Sequence, residues 1–139
     1  MGLGMFIVLE SELPGVEPDK IDGRAIAVSR HMLDAIAHEE DQRGLGEFVS
    51  FSEVEAEALS EDMRFDMPVG VGRLERWYTS AEGLLVVRAI RQHIIDATEE
   101  IRDASRILSA LTEMETVLEA ADAADVRFRL NVEYDAREV

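Results

Sequence analysis

The sequence predicts an α+β domain, a small sheet built from the two ends of the chain and covered by about four helices. Two observations carry this. Short β-prone apolar runs stand at both ends, and the stretches between them repeat their apolar residues at helical spacing. All 139 residues fit a single domain, 1–139, and the hydrophobic share of 47% is enough for one core.

Leu3 to Leu9 is short, apolar and β-prone on both faces, so it should lie centrally or be covered on both sides. Pro14-Gly15 and Pro18 then break the chain. From Gly23 to about His38 the pattern is helical. Successive 100° steps bring Ala25, Ile26, Met32, Leu33 and Ile36 to one side, with Asp22 as N-cap. Gly44 and Gly46 close this region. Phe48 to Phe51 reads as a short strand or an irregular plug. Ser52 with Glu55 is a capping-box pattern that starts a short helix at Glu53, and Pro68, Gly70 and Gly72 mark a loop.

A second capping box, Thr79 with Glu82, follows the aromatic pair Trp77-Tyr78. Its helix runs to about Ile95 with Val86, Val87, Ile90 and Ile94 on the main apolar face. A polar, partly helical segment follows, and Asp103 or Ser105 caps the last helix. There Ile107, Leu111, Met114, Leu118 and Ala121 recur at four-three spacing, with Glu113, Glu115, Glu119 and Asp122 outside. Val126 to Tyr134 alternates. Val126, Phe128, Leu130, Val132 and Tyr134 face the core, and Arg127, Arg129, Asn131 and Glu133 face away. Two strands alone make a marginal sheet, so a third segment should join them, either Phe48 to Phe51 or a partner chain.

Thirty acids against fourteen basic residues give a net charge of −16. A surface of that sign repels phosphate backbones and anionic membranes, and it attracts basic proteins. No run approaches the ~20 apolar residues of a membrane span. The N-terminus lacks the basic region of a signal peptide, and Phe6 stands where a myristoylation signal needs Ser or Thr. A cytoplasmic location is expected. With no cysteine, disulfides, thiolate catalysis and Cys-based zinc sites drop out. No EF-hand loop, GxSxG, GxGxxG or P-loop spacing occurs, and the glycines before Trp77 read as a turn. No cofactor, metal or catalytic residue is predicted.

His31, Asp34 and His38 share the outward face of the first helix. The two histidines stand seven residues apart, about 10 Å along the axis, too far to meet on one zinc unaided. Arg88 and Arg91 interrupt the second face of the central helix, and His93 edges its apolar face. The structural reading pairs the arginines with the acidic middle segment. The alternative is a small enzyme or ligand-binding domain with an anion pocket around Arg88, Arg91, His93 and Trp77. Glu39 to Asp66 holds ten acids and two arginines, a net of −8 and half the total. That segment suits an interaction surface in which Glu53, Glu55 and Glu57 steer and Phe48 and Phe51 anchor, aided by Met63, Phe65 and Met67, unless these apolar residues belong to the core. The leading expectation is a non-catalytic interaction domain that self-associates or binds a basic protein.

Leu13-Pro14-Gly15, DGRA from Asp22, FVSFS from Phe48, WYTSAEGLLVVRAI from Trp77 and the closing VRFRLNVEYD from Val126 together resemble a family of small acidic bacterial proteins of unknown function. The resemblance spans nearly the whole chain. It implies a single α+β domain and brings no activity, cofactor or site residue with it.

Overall fold

The computed structural model describes residues 3–52, 54–55 and 75–134. Strand β1 (Leu3–Leu9) pairs antiparallel with β2 (Phe128–Tyr134), in a register that sets Met5 opposite Val132, Ile7 opposite Leu130 and Leu9 opposite Phe128. The terminal strands are therefore neighbours. Their facing apolar residues lie on the core side because side chains alternate along a strand. The other edge of β2 takes one bridge from Val49, parallel to Leu130, and one from Tyr78, antiparallel to Phe128. The backbone bonds there are Ser50 N to Leu130 O at 3.1 Å and the reciprocal Tyr78–Phe128 pair at 2.8 and 2.9 Å. Phe48 to Phe51 thus does join the sheet, by a bridge rather than as a strand. A 3₁₀ turn over Leu45–Phe48 consumes the residues that a strand would need.

Four α-helices are described from end to end, α1 (Gly23–Val28), α2 (Arg30–Glu39), α3 (Ser80–Asp96) and α4 (Ala104–Ala123), and Val54 and Glu55 are helical as well. The single helix expected over Gly23 to His38 is broken at Ser29. Its backbone, at φ −98° and ψ 6°, returns its N–H to Ala27 O and skips the helical ladder. Ala25, Ile26, Leu33 and Ile36 are nonetheless all buried, so the break preserves the apolar stripe. Asp22 caps α1 through the Ala25 N–H at 3.1 Å. Gly23 has a packing reason: a Cβ there would stand 2.6 Å from the Met5 carbonyl oxygen and 2.6 Å from the Phe6 ring. Instead of lying centrally, β1 is paired along one edge only among the described residues, and the start of α1 closes against it.

Helices α3 and α4 form an antiparallel hairpin. Arg88 reaches Glu115 while Arg91, one turn on, reaches Thr112, one turn back. The Thr79–Glu82 box caps α3 with two bonds of 3.2 Å. Asp103 precedes α4 in the left-handed region, at φ 57°, and its side chain caps nothing. The stripe Ile107, Leu111, Met114, Leu118 and Ala121 is buried as its spacing requires. At Gly83 a Cβ would meet the Phe128 ring at 2.5 Å, so α3 sits close to β2 only because that residue is glycine.

Both α2 and α4 end in Schellman turns with aspartate where glycine is usual. After α4, Asp125 (φ 57°) donates to Asp122 O at 3.1 Å and Val126 donates to Ala121 O at 2.8 Å. After α2, Asp41 (φ 58°) and Gln42 repeat this with His38 and Ala37. A Cβ is strained at positive φ, and a carboxylate opposes the negative end of the helix dipole. Asp125→Gly should therefore raise stability by about 0.5–1 kcal/mol. Urea unfolding at constant slope measures this, and an unchanged or lowered midpoint would show that the carboxylate itself holds the turn.

Candidate functional site

The residues of the expected anion pocket are placed in three separate settings. Arg88 lies half-exposed against Glu115 at 3.2 Å and Glu119 at 3.4 Å. Arg91 donates to Thr112 at 3.0 Å. Both arginines thus bind α4, and the expected tie to the acidic middle segment is made by another residue. His93 faces the end of α2, with Glu40 at 2.9 Å and Glu39 at 3.7 Å. Trp77 lies half-buried beneath the Arg129 guanidinium, 5.1 Å from ring centroid to Cζ.

The interaction surface also changes. Phe48 and Phe51 are core residues, 0% and 2% exposed, because the turn over Leu45–Phe48 folds them inward beside the Val49 bridge. Glu55 is committed to Arg129 at 2.7 Å and closes the Ser52 capping box with bonds of 2.9 and 3.2 Å. Glu53, Glu57, Met63, Phe65, Met67 and the loop marked by Pro68, Gly70 and Gly72 lie outside the described residues.

Arg129 overturns the expectation of a solvated second face on β2. It is 3% exposed, and Asn131 beside it is 5% exposed. The guanidinium donates to Ser50 O at 2.9 Å, meets Glu55 at 2.7 Å and Glu75 at 3.3 Å, and stacks on Trp77. Ser50 is the hub of the same corner. Its Oγ both donates to Arg76 O and accepts from Arg76 N, each at 3.1 Å. This cluster ties the 49–55 and 75–78 segments to the sheet. Apart from the buried Arg129 Nε, which has no hydrogen-bond partner, its groups are spent on one another, which makes it scaffolding.

The described cleft with the richest chemistry lies on the other side of the sheet, between α2, the 44–49 segment and the strand pair. Its volume is about 440 Å³. Met5, Val49 and Val132 form an apolar floor, and Arg30, His31, Asp34, His38 and Glu47 rise around it. The loop wall is held by carboxylates. Asp34 Oδ1 accepts the Leu45 N–H at 2.7 Å, and Glu47 Oε2 accepts the Gly44 N–H at 2.9 Å. Gly44 is needed there because a Cβ would stand 2.8 Å from the Asp34 carboxyl carbon. The shared face of His31, Asp34 and His38 was visible in the sequence. The cleft was not, because its other walls come from segments that no helical spacing points to.

Among the described residues no three His, Asp or Glu side chains are grouped to hold a metal ion, and no helix is long and apolar enough to cross a membrane.

The His93 clasp makes a pH prediction. The hydrogen bond to Glu40 raises the imidazole above its ordinary value, burial opposes, and the charges of Glu39, Glu40 and Asp96 add to the rise. A group raised in the folded state stabilises fully below its unfolded value, about 6.5, and loses that contribution as pH climbs through the raised one. Urea midpoints should accordingly fall between about pH 6 and pH 8, and His93→Gln should remove that part of the slope. Parallel pH profiles for the two proteins would show that the clasp adds nothing.

Comparison with known proteins finds no matching family model, no matching curated protein and no matching solved structure.

Proposed function

We propose that the chain is a non-catalytic protein-interaction domain of the bacterial cytoplasm, akin to the small acidic proteins it resembles, and that its partner is a basic protein rather than a nucleic acid. The observation that carries this reading is that five of its cations are paired internally with carboxylates. Arg127 binds Glu10, Arg106 binds Asp22, Arg88 binds Glu115 and Glu119, Arg129 binds Glu55 and Glu75, and Lys20 binds Glu17. Positive charge so neutralised projects little field outward. The surplus carboxylates face solvent, including Glu113 and Asp122 on the outer side of α4. Such a surface steers a basic partner, repels phosphates, and also repels a second copy carrying the same −16. This argument favours a foreign partner over self-association.

Capture of lysate proteins on the immobilised chain tests the reading. Retained proteins should be basic, should elute between about 50 and about 300 mM salt, and should bind less to a Glu113→Gln/Asp122→Asn variant. Retention of acidic or neutral proteins at every salt concentration, or a dimer in sedimentation at low salt, would overturn it.

A further inference from the structure

The cleft beside α2 holds donors that nothing among the described residues takes up. Arg30 is the one half-buried cation among those residues with no ion pair, hydrogen bond or ring contact. In a chain with thirty acids, an arginine left over in this way is out of pattern. Arg43 and Arg76 at least lie over aromatic rings, and Arg102 is exposed. His31 and His38, on the same wall, likewise have no partner among the described residues. The two carboxylates that line the cleft with Arg30 are turned to the backbone of the opposite wall, Asp34 to Leu45 and Glu47 to Gly44.

We infer that this cleft binds a small organic monocarboxylate, with its apolar body against Met5, Val49 and Val132 and its head on Arg30. The volume of about 440 Å³ is that of a small-molecule site, which spans roughly 300–1,000 Å³. A planar guanidinium suits a carboxylate through two parallel N–H donors. A neutral imidazole adds one N–H in either tautomer. The nearby Asp34 and Glu47 and the net charge of −16 disfavour a dianion such as phosphate, so the head carries one negative charge. The apolar floor supplies the affinity, and the head sets the orientation.

Three probes with one body and three heads test this: hexanoate, hexanol and hexylamine, each titrated at neutral pH while backbone amide NMR shifts are followed. Hexanoate should shift Arg30, His31, Leu45, Gly46 and Val49 saturably. Hexanol should bind about tenfold more weakly, and hexylamine should not saturate. Arg30→Gln should weaken hexanoate about tenfold and leave hexanol unchanged. If that variant unfolds, Arg30→Lys serves, with a severalfold loss from the missing fork. Equal binding of hexanoate and hexanol, undiminished binding by the variants, or no saturable shift with any probe would each overturn the inference.

Discussion

An Arg129→Ala variant should lose about 3–5 kcal/mol of stability, because removing one partner of a buried pair leaves the rest uncompensated. The side chain is 4% exposed, whereas its partners Glu55 and Glu75 are 25% and 39% exposed, so most of the desolvation has fallen on the arginine. Truncation also leaves the Ser50 carbonyl without its donor and the Trp77 ring without its cation. Arg129→Lys should fall between the two, since an ammonium cannot serve a carbonyl, two carboxylates and a ring from one plane. Arg129→Met with Glu55→Gln should recover part of the loss, because glutamine at that position can still close the capping box with Ser52. A loss under about 1 kcal/mol in the alanine variant would show that the cluster is a surface pair.

The same cluster has a pH signature of the opposite sign from His93. Burial alone would raise the Glu55 carboxyl. The Arg129 hydrogen bond and the Ser52 backbone N–H outweigh it and hold the group below its ordinary value. A depressed carboxyl stabilises above its unfolded value and loses that contribution as pH falls through the folded one. Acid sensitivity below about pH 4.5 should therefore be weaker in Arg129→Ala than in the parent. The cluster also revises the role of Glu55 in recognition. Neutralising it removes a partner of the buried Arg129, so a test of the acidic surface belongs on Glu113 and Asp122.

Local devices were the legible part of this fold. Asp22, the Ser52–Glu55 box and the Thr79–Glu82 box each act within a few residues, and each forms the bonds its spacing implies. The terminal strands were legible because the pleat imposes a period of two. That same period misplaced Arg129. Alternation assigns a polar residue to solvent, and it carries no information about carboxylates arriving from distant segments. The Ser29 break was illegible for a related reason, since the apolar stripe runs through it unchanged. At the cleft, helical spacing put His31, Asp34 and His38 on one face, and all three line the cleft. It said nothing of Gly44 and Gly46 closing against Asp34, which is what turns that helix face into a wall.

Phe48→Ala should be the other severe substitution, costing about 3–5 kcal/mol. The ring is wholly buried where three segments meet, on the core side of the sheet, across it from the Arg129 cluster that also joins them. It stands edge-on to Tyr78 at 5.1 Å and 86°, and tilted against Phe128 at 5.1 Å and 40°. Arg43 also lies over the ring, 5.3 Å from the centroid. Tyr78 and Phe128 are themselves bridged through their backbones, so the cavity left by truncation could close only by pulling the β2 edge apart. Phe48→Leu, which keeps much of the volume and loses the ring contacts, should cost about 1–2 kcal/mol. The pair of variants separates core from interface, since an interfacial phenylalanine would lose partner binding on truncation and leave the unfolding midpoint of the free chain in place. An alanine variant as stable as the parent would return Phe48 to the surface and restore it as an anchor beside the acidic segment.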